Sequence, residues 1–369
     1  SGYGEASYPV DTKRKRARAG LDRVVIFLGH KFNKNISLFS ELEIENAFVS
    51  GGATDEGITG SGNLSMEQAF LKMNISPTTY IVAGLFIPRI GFINENHLPS
   101  TFNGVNRPFL EEQVIPATWR EVGVGIYGDI PGFAGLNYSV SLTNGLNSRN
   151  FDSATGIRGG RQLGNATNGT NLGLSGALLY YTGRFRLQTS AYLGGSTALE
   201  KRVADSLHLR SGPFANAVKL GEINAQYKHR AWAMRAIVAA ANISNADEIN
   251  TAFGNNTPSS IYGAYIEVAY DLLYQKFKSD KALILFGRYE AFDLEASIPY
   301  NGIKNPANKK QYFVAGLTYK PIRGVAIKAD YVRRVTGEFN QALVVTPFPQ
   351  LVPYFKNNGF IDFGISYNF

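Results

Sequence analysis

Residues 360–369 read FIDFGISYNF, and apolar and polar side chains alternate through the whole stretch. In an extended chain Phe363, Ile365, Tyr367 and Phe369 project to one side, and Asp362, Gly364, Ser366 and Asn368 to the other. Such a strand has one oily face and one wet face. A soluble sandwich and a membrane barrel both use strands of this kind, so the rest of the chain has to separate them.

Composition narrows the choice. Charged residues make up 18% of the 369 residues and aromatics 12%, with 20 Tyr, a ring suited to the boundary between apolar and aqueous surroundings. No run of 18 apolar residues occurs, which excludes an ordinary helical membrane span. There is no Cys, so disulfides and thiolate metal sites are excluded. The opening SGYGEAS has neither an initiator Met nor the features of a signal peptide, so any export signal is expected to have been removed already. A formal charge of +8 permits anionic partners but selects none.

Period-two alternation recurs along the chain, as in NYSVSLTNGL (137–146), RFRLQTSAYL (184–193) and GVAIKADYV (324–332), and no segment shows a long helical stripe. Sixteen strands are expected: 1–9, 19–33, 36–49, 63–75, 78–88, 119–129, 135–146, 171–181, 184–195, 215–228, 230–243, 260–274, 281–292, 311–320, 324–334 and 357–369. The first is the weakest, because Pro9 suits an edge or a frayed end. Short connections alternate with long polar ones, as a transmembrane barrel sorts its turns and loops between two rims. Hydrocarbon tolerates a sheet only when no edge is unpaired, so the last strand should close on the first. Sixteen strands of this kind leave an aqueous channel. The expected fold is therefore all-β, one antiparallel up-and-down transmembrane barrel over 1–369.

Facing follows from the same alternation. Leu283, Leu285, Tyr289, Val325, Ile327, Tyr331, Ile266 and Val268 are expected to meet lipid. The opposite faces carry Glu41, Glu43, Glu45, Arg186, Arg235, Glu267, Arg288, Glu290, Lys328, Asp330 and Arg334. A Lys or Arg facing lipid at the midplane costs about 2–4 kcal/mol, so these groups are assigned to the lumen.

The longest connection is RIGFINENHLPSTFNGVNRPFLEEQVIPATW (89–118). It carries Ile90, Phe92, Ile93, Phe102, Phe109, Leu110, Val114 and Ile115, enough apolar surface to pack on a wall. Together with GYGEASYPV (2–10), RVVIFLGHKF (23–32) and FSELEIENAFV (39–49), the stretch GLFIPRIGFINENHLPSTFNGVNRPFLEEQVIPATWREVGVGIYGD (84–129) resembles the phosphate-selective porin O and P family of Gram-negative outer membranes. The likeness is densest over 1–146. It implies a sixteen-stranded barrel whose third long loop folds into the lumen, and a passive channel for small hydrophilic solutes or ions, anions among them. Separately, Phe369 and Tyr367 on the closing alternating strand resemble the terminal signal by which outer-membrane barrel proteins are recognised for insertion. The dense basic ladder behind phosphate selectivity in the family's namesakes is not matched here, since the assigned lumen mixes both signs. Candidate constriction residues are Arg89, Glu95, Asn96, His97, Arg107, Glu111 and Glu112.

Rival readings are weaker. GVGIYG (123–128) matches GxGxxG but lies in an alternating strand with no following helix, so its glycines are assigned to close approach of the inward loop. The basic run TKRKRARAG (12–20) fits lipopolysaccharide phosphates at the outer rim, or a solvated face, better than nucleic acid. Glu95 and His97 could share a metal, but such pairs are common by chance. No cofactor or metal is called for. A hydrolase would need a nucleophile and base at suggestive spacing, and none of the four His has a Ser so placed. A structural or adhesive anchor, or a subunit of a homo-oligomer or larger envelope complex, is the remaining alternative.

Overall fold

The computed structural model describes residues 1–46, 62–197, 200–276, 280–343 and 354–369. Sixteen long strands form one continuous antiparallel sheet. The first half comprises β1 (Gly2–Asp11), β2 (Gly20–Lys31), β3 (Ile36–Glu45), β4 (Asn63–Asn74), β5 (Thr79–Phe86), β6 (Glu121–Asp129), β7 (Leu136–Asn144) and β8 (Leu172–Thr182). The second comprises β9 (Phe185–Gly194), β10 (Val218–His229), β11 (Trp232–Ile243), β12 (Ser260–Asp271), β13 (Ala282–Ser297), β14 (Lys309–Ile322), β15 (Val325–Thr336) and β16 (Asn357–Asn368). Each strand pairs with its chain neighbours. β16 closes on β1, from Tyr3 opposite Asn368 to Asp11 opposite Phe360. Closure removes the unpaired edges that hydrocarbon would penalise.

β1 is thus a full member of the sheet, not a frayed end. Pro9 is accommodated because the β1–β2 ladder stops at Ser7 opposite Gly20 and resumes where Val10 and Asp11 meet a two-residue strand, Arg16–Ala17. In that gap Arg18 N–H donates to the Pro9 carbonyl, and the missing proline N–H is not required. Strand 36–49 is observed to Glu45, and 47–49 lie outside the described residues. β13 outruns the expected 281–292, because Phe292, Asp293, Leu294 and Glu295 are all buried and the alternation that marks a half-exposed strand ends there.

Connections 32–35, 75–78, 130–135, 183–184, 230–231, 272–281 and 323–324 share one rim, and the others, most of them longer, leave from the opposite rim. The outer surface is a band of exposed apolar side chains, with Ile223 at 68%, Val238 at 61%, Ile266 at 53% and Ile365 at 52%. Every one of these alternates with an inward-facing neighbour. A band of this extent would drive aggregation in water and is the ordinary surface of a barrel in acyl chains.

The glycines of GVGIYG serve the wall itself, not the inward loop. A Cβ on Gly123 would lie 2.2 Å from the Leu142 carbonyl oxygen. One on Gly125 would meet Ser141, the Tyr127 ring and Val82. Tyr127 can therefore lie along the wall, stacked on Tyr80 with centroids 5.2 Å apart.

Candidate constriction site

Residues 87–120 connect β5 to β6 and pack against the inner faces of the strands. Their apolar side chains, Ile90, Phe92, Leu110, Val114, Ile115 and Trp119, join Tyr192, Leu220, Ile237, Ala239, Tyr265, Phe286 and Phe292 in one buried cluster. The inward face of β11 is accordingly apolar at Ile237, Ala239, Ala241 and Ile243. At about 1.5–3 kcal/mol per fully buried large side chain, this packing is the main term holding the loop. Two short helices shape it, α1 (Gly91–Glu95) and α2 (Phe109–Gln113).

Polar groups then fix its position. Leu110 N–H donates to Glu290 Oε2 at 2.8 Å, and Glu290 Oε1 accepts from Arg288 Nε at 2.8 Å. Arg288 Nη1 reaches Glu267 Oε2 at 3.1 Å, while Glu267 Oε1 accepts from the Asn103 amide at 3.0 Å. Val105 N–H donates to Asp330 Oδ2, and Asn106 to Asp362 Oδ2. Lys328 Nζ bonds the Pro99 and Gly104 carbonyls, and Arg235 the Thr101 carbonyl. Arg186 pairs with Glu95. Seven groups assigned from sequence to the channel lining, Arg186, Arg235, Glu267, Arg288, Glu290, Lys328 and Asp330, are thus taken up in tethering the loop. Arg334 instead lies over the Phe360 ring at 5.5 Å.

The loop divides the candidate constriction residues. Glu111 is fully buried beneath it, accepting from Ile93 N–H at 2.7 Å and Tyr265 Oη at 2.8 Å. Desolvation pushes its carboxyl up to about 7. Asn96 Oδ1 accepts from Leu98 N–H and Thr101 Oγ1, shaping the backbone. Arg89 lies over the Tyr127 ring at 5.0 Å.

Open space lies between the loop and the β1–β6 side of the wall. An outer cavity of about 420 Å³ is lined by Glu5, Asp22, Glu43, Glu45 and Glu112 against Arg23, Arg107, Arg120, Arg158 and Arg161. Five acids face five bases, so the field has no dominant sign. Desolvation, reinforced by neighbouring Arg158 and Arg120, holds the Arg161 guanidinium down at about 9. An inner cavity of about 470 Å³ is lined by Phe39, Glu41, Phe70, Lys72, Arg89, Glu95 and His97, among others. It adjoins a third, of about 570 Å³, which shares Lys72, Tyr80, Arg89 and Tyr127 with it.

His97 sits at the upper end of the inner cavity. Its Nε2 is 3.5 Å from Glu41 Oε2 and 3.6 Å from Glu67 Oε2, and only 6% of the residue is exposed. Burial alone would lower the imidazole, but the two carboxylates outweigh it and raise it to about 9. Sequence reasoning missed Glu67 because a bulge turns both Glu67 and Gln68 inward, between the pairs Leu42–Met66 and Glu41–Gln68. The signal is present in NLSMEQAFLKMN, where the outward apolar phase slips from Leu64 and Met66 to Ala69 and Leu71. Arg23, which bridges Glu5 at 2.7 Å and Glu43 at 3.0 Å, was hidden by the apolar run VVIFL, which leaves both faces of β2 alike.

No protein-family model matches the chain. An uncharacterized protein of Aquifex aeolicus (strain VF5) is 32% identical over 344 residues, covering 90% of this chain and 74% of that protein. The chain belongs to the same family. Among solved structures, an anion-selective porin from Comamonas acidovorans superposes at TM-score 0.56 and 12% identity, covering 100% of this chain and 99% of that one. Salmonella typhi OmpF, solved with daunomycin, superposes at TM-score 0.56 and 13% identity, covering 100% of this chain and 97% of that one. At these identities the likeness establishes the fold, a closed sixteen-stranded antiparallel barrel.

Proposed function

We propose that this chain is a porin of the bacterial outer membrane, through which small hydrophilic solutes diffuse passively along the β1–β6 side of the loop. The observation that carries the reading is the placement of cavities bearing charged side chains between the loop and the wall, inside a barrel whose outer face is apolar. His97, Glu95 and Arg107 from the loop, with Glu41 and Glu43 from the wall, line the narrowest part of the path. Throughput is governed by the cross-section there and by the summed field of the facing charges. No covalent step or energy coupling is required.

The even balance of acids and bases in the outer cavity favours a general pore over a phosphate-selective one. The basic run at 12–20 would meet lipopolysaccharide phosphates at the long-loop rim. Planar-bilayer recording of the purified protein tests the proposal. Discrete conductance steps in 1 M KCl are expected, and a silent, fully folded barrel would refute it.

A further inference from the structure

The groups around His97 form a second kind of site. Each of three elements contributes one ligand atom: the loop an imidazole nitrogen, β3 the Glu41 carboxylate and β4 the Glu67 carboxylate. All three atoms lie within 4.8 Å of one another. We propose that His97, Glu41 and Glu67 bind a divalent transition-metal ion, zinc by their geometry, which would staple the inward loop to the wall at the constriction.

The geometry carries this assignment. The imidazole to carboxylate distances of 3.5 and 3.6 Å are too long for good N–H···O hydrogen bonds. They are close to the separation of roughly 3.4 Å between two ligands of a tetrahedral ion with bonds of about 2.0–2.1 Å. Neither ring nitrogen of His97 has a hydrogen-bond partner, although the residue is only 6% exposed. Glu41 Oε2 and Glu67 Oε1 are likewise buried and unpartnered. The other oxygen of Glu41 is held in place, as outer-shell groups hold metal ligands: Gln68 Nε2 donates to Glu41 Oε1 at 2.8 Å. One imidazole and two carboxylates leave a fourth position facing the inner cavity, which both Glu41 and His97 line. This donor set suits zinc better than calcium, which takes six to eight oxygens. The Arg107 guanidinium acts on both His97 and Glu67 and opposes the added charge.

The test uses the full chain, purified in detergent, stripped with a chelator and titrated with Zn²⁺ at pH 8. One zinc per chain is expected by calorimetry and by elemental analysis after desalting. Affinity should fall at least tenfold in His97→Gln and in Glu41→Gln, the latter a half-buried position that guards against loss of fold in Glu67→Gln. Cobalt in place of zinc should give the intense visible absorption of a tetrahedral site. Sub-stoichiometric zinc in the wild type, unchanged binding in both variants, or equal affinity for calcium would each overturn the assignment. Conductance is recorded in parallel. A barrel that conducts but takes no zinc refutes this site alone, and one that takes zinc but is silent refutes the channel alone.

Discussion

Arg288 and Glu290 project from the same strand to the same side, two residues apart, and meet inside the barrel at 2.8 Å with side chains 1% and 0% exposed. Glu290 uses its other oxygen to receive the Leu110 N–H, so one ion pair ties β13 to α2 of the loop. Removing one partner of a buried pair leaves an uncompensated charge and costs about 3–5 kcal/mol. Arg288→Met should therefore lower the unfolding midpoint in detergent. It should also release α2, raising single-channel conductance and current noise.

The apolar face of the loop should behave as a packed core. Trp119 is 1% exposed against the Tyr192 ring, with centroids 4.5 Å apart. Trp119→Ala should destabilise by about 3–5 kcal/mol. Limited proteolysis would register the change as new cleavage within 95–110, where the wild type is protected.

Buried Glu111 provides a pH dependence of known sign. Tyr265 Oη and Ile93 N–H donate to it, Arg235 favours its ionised form and Glu222 opposes it, and desolvation sets the net upward shift to about 7. A carboxyl raised in the folded state contributes stability that is complete below its unfolded value near 4.5 and is lost as pH rises through about 7. The loss is on the order of 3 kcal/mol by pH 8. Urea unfolding in detergent at pH 5 and pH 8 should show it, and Glu111→Gln should flatten the slope over that window.

Charge reversal should report on the path. Arg107 lines the outer cavity, where acids and bases balance five to five. Arg107→Glu tips that balance and should move the reversal potential in a tenfold KCl gradient toward cation selectivity. An unchanged potential would place the ion path elsewhere.

A backbone contact limits the wall. Gly84 has φ of 135°, and a Cβ there would lie 2.4 Å from the Ala69 carbonyl oxygen. Strain and overpacking together cost about 2–4 kcal/mol. Gly84→Ala should reduce the yield of heat-modifiable barrel on a gel, while the neighbouring outward substitution Leu85→Ile should not.

The sequence by itself determined the barrel: strand number, alternation and which connection is long. Those properties are local and periodic, because every strand must satisfy the same two media, and an error of one residue would put charge into lipid. What the inward residues do was decided only by the tertiary structure. Glu267, Arg288, Glu290, Lys328 and Asp330 alternate just as Glu45 does, yet the former tether the loop and the latter lines the outer cavity. The difference is set by where residues 87–120 settle, a contact between segments as much as 268 residues apart, as in Ser100 to Asn368. Glu67 escaped for a related reason, since a one-residue bulge shifts the face of a side chain without changing its type. Alternation reports which medium a residue meets, and packing decides which neighbour it finds there.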